Sequence, residues 1–417
     1  ASDGASGDQF GVSISLYQDY ALIGAYGDDT YRGSAYVFKR NGSTWTQQQK
    51  LTASDGASSD LFGSSVSLYE DYALIGAYND GTARGSAYIF KRNGSTWKQQ
   101  QKLTASDGAD YDDFGFSVSL YEDYALIGAY YDDTPLLANS GSAYIFKRNG
   151  SIWTQQQKLT ASDDAYDDYF GFSVSLFEDY ALIGSYGDDD NGNLSGSAYI
   201  FKRNGSTWTQ QQKLTASDAA NNDLFGHAVS LYKDYALIGA YKDDSETGSA
   251  YIFKKNGSIW SQQQKLTAYD GASDDWFGYS VSVYEDYALI GAYYDDSQKG
   301  SAYIFKRNGS TWIQQQKLTA NDGASSDRFG ISVSIYKDYA LIGAYKDNTA
   351  QGSAYIFKRN GSTWTQQQKL TASDGASYDY FGFSVSLFED YAVIGAYDND
   401  DNGSGSGSAY IFKRIGS

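Results

Sequence analysis

Cysteine and methionine are missing from this 417-residue chain, and proline and histidine occur once each. Without cysteine there is no disulfide framework, no thiolate metal site and no thiol nucleophile. Without either sulfur residue the most easily oxidised side chains are gone, which favours an exposed, long-lived protein. No apolar run approaches the length of a membrane helix. The chain shows neither a signal peptide nor a starting methionine, which predicts a processed or trimmed chain. Basic residues are also scarce: 32 against 51 acids, for a net charge of −19. Phosphate would meet repulsion on most approaches, so nucleic acid is a disfavoured partner. The lone histidine, His227, occupies a position filled elsewhere by Val12, Ser64, Phe116, Phe172, Tyr279, Ile331 and Phe383. A site that accepts those residues is a packing or surface position, and serine–histidine–acid catalysis has no second histidine to turn to.

What is abundant is glycine (45), tyrosine (40) and repetition. A Phe-Gly pair recurs at Phe10, Phe62, Phe114, Phe170, Phe225, Phe277, Phe329 and Phe381. The repeats divide the chain at about 1–52, 53–104, 105–160, 161–215, 216–267, 268–319, 320–371 and 372–417. A unit of this size cannot bury its own faces and must stack on its neighbours. In the second unit, Phe62 to Leu68 reads as strand a and the apolar tract Tyr72 to Tyr78 as strand b. Gly85 to Lys91 reads as strand c and Thr96 to Leu103 as strand d. Asn93-Gly94 is a strong hairpin signal between c and d. No segment has helical periodicity. Four antiparallel strands repeated eight times predict an all-β, eight-bladed β-propeller, one domain over 1–417. Small strand a suits the axis. Strand d, with its Gln-Gln-Gln run, suits the rim, and its tryptophan suits packing between blades.

The FG pair heading strand a and the IGAY tract ending strand b resemble the FG-GAP repeat. That repeat builds the propeller of integrin α subunits and of many bacterial and protist surface proteins. The likeness is greatest to the bacterial-type variant, with SDGA before FG, GSAYIF in strand c and W-x-QQQKLTA in strand d. The resemblance implies an extracellular or cell-surface location and a role in adhesion. Integrin-type repeats carry a calcium loop, D-x-D-x-D-G, in the a–b hairpin. Here that hairpin is only Gln18-Asp19, Glu70-Asp71 and equivalents. Integrin propellers have seven blades, whereas eight FG pairs imply eight.

Strands a, b and c occur eight times, but d occurs seven times. The last blade is therefore expected to lack its outer strand, leaving Tyr410, Ile411 and Phe412 on an unpaired edge that invites another chain. The alternative is a fragment of a longer array.

Alternating strands put the d–a and b–c loops on one face of the disc and the a–b and c–d turns on the other. Of the 51 acids, 13 lie in the a–b turns and the other 38 in the d–a and b–c loops. A strongly acidic loop face suits divalent cations, basic proteins or the opposite face of a second copy; it also keeps a tyrosine-rich surface soluble. Stacking of unlike faces would be heterologous and would propagate as a filament. Asp398, Asp400 and Asn402, with Gly403 for the sharp turn, stand at the spacing of a calcium loop but lack its downstream glutamate. Asp188 and Asp190 form a poorer version. Near-identical loops offer near-identical environments, whereas paired-carboxylate catalysis needs unlike ones, so the symmetry argues against an enzyme. Tyrosine and tryptophan beside acids are also what sugar sites use; Tyr130, Tyr131, Trp276, Tyr293 and Tyr294 lie near the acidic face, although cross-strand packing accounts for most of the tyrosines. The seven Asn-Gly-Ser sequons at the c–d turns (Asn41, Asn93 and equivalents) are explained by turn chemistry alone. The b–c insertion with the only proline, Pro135, and with Leu136 and Leu137, is the expected protein contact. The expected function is adhesion or structural assembly through protein partners, with Ca2+ assisting. A multivalent lectin and a self-assembling filament are the alternatives.

Overall fold

The computed structural model describes residues 1–133 and 137–414. Pro135 and Leu136 lie outside them. The strands form eight separate sheets in chain order, seven of four strands and a last one of three. This is the eight-bladed propeller that the repeats predict, with blade 8 short of strand d. In blade 2 the strands are Val66–Tyr69, Tyr72–Ala77, Ser86–Asn93 and Thr96–Leu103, each antiparallel to the next.

Three local features depart from the sequence reading. Strand a of blade 2 begins at Val66 rather than Phe62, because Phe62 instead bridges to Gly33 in the b–c loop of blade 1. Gly33 is at φ 83°, and a Cβ there would sit 2.1 Å from the Phe62 carbonyl oxygen, so only glycine admits this contact. The c–d turn falls on Gly42-Ser43, one residue later than Asn-Gly predicts. Asn41 pairs with Thr44 as the last rung, and Gly42 supplies the positive φ of 64°. Among the described residues, five b–c loops contain a four-residue helical turn, such as Asp28–Tyr31 and Asp243–Glu246, with inner residues at positive φ.

The apolar core lies between blades, not within them. Leu22, Val37 and Leu51 of blade 1 pack against Phe62, Ile75, Tyr88 and Trp97 of blade 2. The same cluster recurs around the ring, and Phe10, Leu16 and Ile23 close it on Tyr391 and Val393 of blade 8. Burying side chains of this size contributes about 2 kcal/mol each. Strand b is buried along its whole length because both of its faces meet a neighbouring blade.

Polar groups lace the blades at two radii. Near the axis, Ser65 donates to the Gly115 carbonyl of the next blade, and Ser67 accepts from the Leu120 N–H. At the rim, Gln49 both accepts from and donates to the backbone of Trp97, while Gln48 takes its indole N–H at 3.1 Å. At the turn-face end of strand a, Tyr17, Tyr69, Tyr121, Phe177, Tyr232, Tyr284, Tyr336 and Phe388 form a closed ring about the axis. Their consecutive centroids lie 4.9–5.4 Å apart.

Candidate functional site

The d–a and b–c loops touch each other across every blade boundary, as where Leu61 N–H meets the Tyr31 carbonyl, so both sets share one face. Strand d ends in a lysine whose stem runs along the blade and delivers its ammonium group to this face. Each of the seven lysines contacts two or three aspartates at 2.5–2.9 Å. Blades 4 and 5 have three aspartates each, and blade 4 serves as the example. Lys213 Nζ lies 2.8 Å from Asp163, 2.7 Å from Asp188 and 2.6 Å from Asp190. Tyr199 donates to Asp188 at 2.7 Å and to Asp163 at 3.1 Å.

Burial works against ionisation of Asp163, but the Lys213 hydrogen bond and charge and the Tyr199 hydroxyl outweigh it and hold the group below the usual carboxylate range. Burial likewise works against the charge on Lys213, and the three aspartates overcome it and raise the lysine. A second acid in each d–a loop behaves in the opposite way. Asp112 and Asp168 are pushed up to about 7, first by burial and then by neighbouring aspartates, against the N–H groups of Ala109 and Ala165.

Asp163, Asp188 and Asp190 are thus the acids that converge on one point among the described residues. An ammonium already stands at that point, so a calcium ion there would have to displace Lys213. Asp398, Asp400 and Asn402 lie in the corresponding loop of blade 8, where no lysine stands among the described residues. Asp400 accepts the Gly405 N–H at 2.7 Å, and Asp398 is raised by burial and by the charges of Asp400 and Asp379. The residue matching the buried Asp188 is Asn399, fully buried and donating to Asp379 at 3.0 Å.

The loop face also breaks the eightfold repetition. Where strand a begins, Phe116, Phe172, His227 and Tyr279 of blades 3 to 6 form a chain of ring contacts 5.1–5.3 Å apart. Around them stand Tyr130, Tyr131, Tyr186, Tyr241, Trp276, Tyr293 and Tyr294, most of them half-buried. Blades 1, 2 and 7 place Val12, Ser64 and Ile331 at the equivalent position, while Phe383 of blade 8 packs on Tyr345 and Tyr397 instead of on a ring of the next blade. Arg328 ends the arc, its guanidinium 3.9 Å from the Tyr294 ring centre. His227 belongs to this arc, and burial lowers it to about 4. Trp276 lies at the arc's edge; its indole N–H donates to Glu246 at 2.9 Å and its ring packs on Tyr294. Leu137 is half-buried on the same face. Tyr410, Ile411 and Phe412 lie far from the arc, on strand c of blade 8, Ser408–Lys413. The sequence places Tyr130, Tyr131, Trp276, Tyr293 and Tyr294 near this face but does not join them to the row of rings from Phe116 to Tyr279; the signal for that row is the aromatic residue after FG in successive repeats.

Human integrin alpha-D is 24% identical over 253 residues, covering 55% of this chain and 21% of that protein. Human integrin alpha-11 is 24% identical over 239 residues, covering 52% and 20%. The chain spans about a fifth of the length of these relatives. Among solved structures, Sqt1 from Saccharomyces cerevisiae superposes with a TM-score of 0.60 at 11% identity, covering 99% of this chain and 98% of that one. Sqt1 from Chaetomium thermophilum, bound to the N-terminus of the ribosomal protein L10, gives a TM-score of 0.63 at 10% identity and the same coverage. At such identity the likeness is one of fold. The FG-GAP repeat profile matches eight successive segments, residues 1–38, 45–90, 97–146, 153–201, 208–253, 260–305, 312–357 and 364–412, and the chain belongs to the FG-GAP repeat family.

Proposed function

We propose that this protein is a non-enzymatic extracellular scaffold that works in adhesion or structural assembly by binding a protein partner on its loop face. The observation that carries the reading is the aromatic arc from Phe116 to Arg328. In a ring of near-identical blades, symmetric positions serve the fold; among the described residues, unbroken contact between the rings that follow FG in successive blades runs from blade 3 to blade 6, and Trp276 and Arg328 stand beside that run. Half-buried tyrosine, tryptophan and arginine are the side chains that dominate protein interfaces. The surrounding aspartates supply a polar rim and favour a basic partner. Membership of the FG-GAP family supports an interaction role and, through the integrin relatives, the surface location. Calcium is proposed to assist at Asp398, Asp400 and Asn402, where no lysine competes among the described residues; the Asp188 and Asp190 loop would admit it only by releasing Lys213.

The test is adhesion of beads coated with the protein to surfaces presenting extracellular proteins. Trp276→Ala with Tyr294→Ala is expected to reduce adhesion at least about tenfold while leaving the melting temperature near the parent's. Unchanged adhesion would remove the arc from the account. Saturable sugar binding on a glycan array, lost in the same variant, would favour the lectin reading. Polymers that dissolve at high salt would favour face-to-face stacking.

A further inference from the structure

Arg328 is the exception among the ten arginines of the chain. The other nine each hold a carboxylate, as Arg40 holds Asp19 and Arg203 holds Asp179, and their side chains are a quarter or more exposed. Arg328 is only 9% exposed, and no carboxylate stands within ion-pair distance of it among the described residues. Its Nη2 donates to Gln298 at 2.9 Å. Its Nε is enclosed without an acceptor, and Nη1, which is not enclosed, meets none among the described residues. The Arg328 N–H bonds the Gln298 carbonyl, joining the d–a loop ahead of blade 7 to the b–c loop of blade 6. The acids of these two loops are engaged elsewhere. Asp295 holds Lys317, Asp296 faces Lys299 at 3.6 Å, Asp322 holds Lys369, and the buried Asp327 accepts the Ala324 N–H. The guanidinium lies instead over tyrosine rings, 3.9 Å from the Tyr294 centre and 5.4 Å from that of Tyr293. The fold does not require arginine here. The residue before FG is Gln9, Leu61, Asp113, Tyr169, Leu224, Trp276 or Tyr380 in the other blades, at φ of 55–60° against 63° for Arg328. A guanidinium withdrawn from water without a counter-charge carries a cost that leucine at the same place would not. Contact with Tyr294 offsets part of it.

We propose that Arg328 recognises a carboxylate of the partner protein, received by Nη1, while the apolar side chain beside that carboxylate rests on Trp276 and Tyr294. This rests on the reading of the arc as the partner site and adds the chemistry of one contact. The planar guanidinium presents its N–H groups at fixed angles, and Tyr294 and Gln298 already hold it, so little freedom remains to be lost on binding. The pairing is charge-assisted and is made at a site where water is largely excluded. The rest of the loop face is rich in aspartate and repels a wholly acidic partner, so the carboxylate selected is one set among basic or neutral residues. A carboxylated sugar would meet the same guanidinium. Trp276, however, lies near-parallel to Tyr294 at 33° and to Tyr279 at 22°, so its faces are largely engaged. What this end of the arc offers is ring edges, which suit an aliphatic or aromatic side chain better than the flat face of a sugar.

Titration of the full chain with N-acetyl-L-phenylalanine, followed through the arginine Nε–H and tryptophan indole N–H signals in heteronuclear NMR spectra, tests the proposal. Arg328→Leu identifies the Arg328 signal by its loss. That signal is expected to shift saturably, while those of the nine arginines already on carboxylates stay in place. N-acetyl-L-phenylalanine amide keeps the ring without the carboxylate and is expected to bind at least about tenfold more weakly. Arg328→Leu, read at the Trp276 indole signal, is expected to weaken binding of the acid by a similar factor. Leu61 and Leu224 show that leucine fits this position, so the variant is expected to melt at or above the parent's temperature. In the bead assay it is expected to reduce adhesion about tenfold. An unmoved Arg328 signal, equal binding of acid and amide, or a lower melting temperature in Arg328→Leu would overturn the proposal. Full adhesion of Arg328→Leu where Trp276→Ala with Tyr294→Ala has lost it would overturn it too, and would leave the arc in place. Saturable binding of glucuronate without binding of N-acetyl-L-phenylalanine would replace the protein carboxylate with that of a sugar. Failure of the parent itself to adhere would sink the reading of the arc, and the titration would still decide the role of Arg328.

Discussion

Lys213 shows how one side chain organises the loop face. It is an ordinary closing residue of a rim strand, yet its ammonium draws together Asp163 and Asp188, 50 and 25 residues earlier in the chain. Asp188 is almost wholly buried. Removing the cation leaves that carboxylate uncompensated, and breaking a buried pair costs 3–5 kcal/mol when solvent is fully excluded. Lys213 keeps some exposure, so Lys213→Met is expected to destabilise by about 2 kcal/mol in urea titrations. Asp168 acts in the other direction. Burial pushes its carboxyl from 3.8 up to about 7, with Asp188 and Asp189 adding and the Ala165 N–H and Lys213 opposing. A carboxyl that ionises less readily when folded stabilises in full below pH 3.8, and that contribution drains away as pH rises through 7. Asp168→Asn is neutral at every pH. Its melting temperature is expected to match the parent's near pH 4 and to exceed it by on the order of 2 °C at pH 8. A constant offset across that range would show that burial does not set the titration of Asp168.

At the scale of the strand, the tracts that carry the fold were open to reading because they are local. YALIGA is apolar throughout and occupies strand b; T-W-x-Q-Q-Q-K-L matched strand d to the residue in blade 2. Partners one repeat away were not readable. Phe62 leaves strand a to bridge Gly33, and the glutamines look like a solvated stripe until Gln212 is seen holding the backbone N–H of Trp260. Gln212→Ala removes that clasp from a buried tryptophan and is expected to cost about 1–2 kcal/mol in the same titrations. A cost near zero would mean that water replaces the amide at the rim. The aromatic arc was hidden for the same reason: its members stand about one repeat apart, and no local window joins Phe116 to Tyr279.

Across the whole molecule, stability is a sum over neighbouring pairs of blades, as in other repeat proteins. Among the described residues, five boundaries have both serine contacts at the axis and a full core; between blades 5 and 6 Ala228 replaces one of the serines. Among the described residues, the boundary between blades 7 and 8 and that between blades 8 and 1 show no glutamine clasps at the rim, where the last sheet has three strands. Local opening follows the weakest contacts. Hydrogen exchange is expected to be fastest in strands b and c of blade 8 and in strand d of blade 1, and slowest in blades 3 to 6. Uniform exchange around the ring would refute this ranking.

The closed circle of eight tyrosines and phenylalanines on the axis has a consequence for how such a chain is inherited. Each contact is met only when successive modules turn by about 45°, the angle that eight blades share equally. A gene that gained or lost one repeat would force every remaining pair to a different angle at once. The hub therefore ties the number of blades to the angle between them, while the loops at the periphery carry no such constraint.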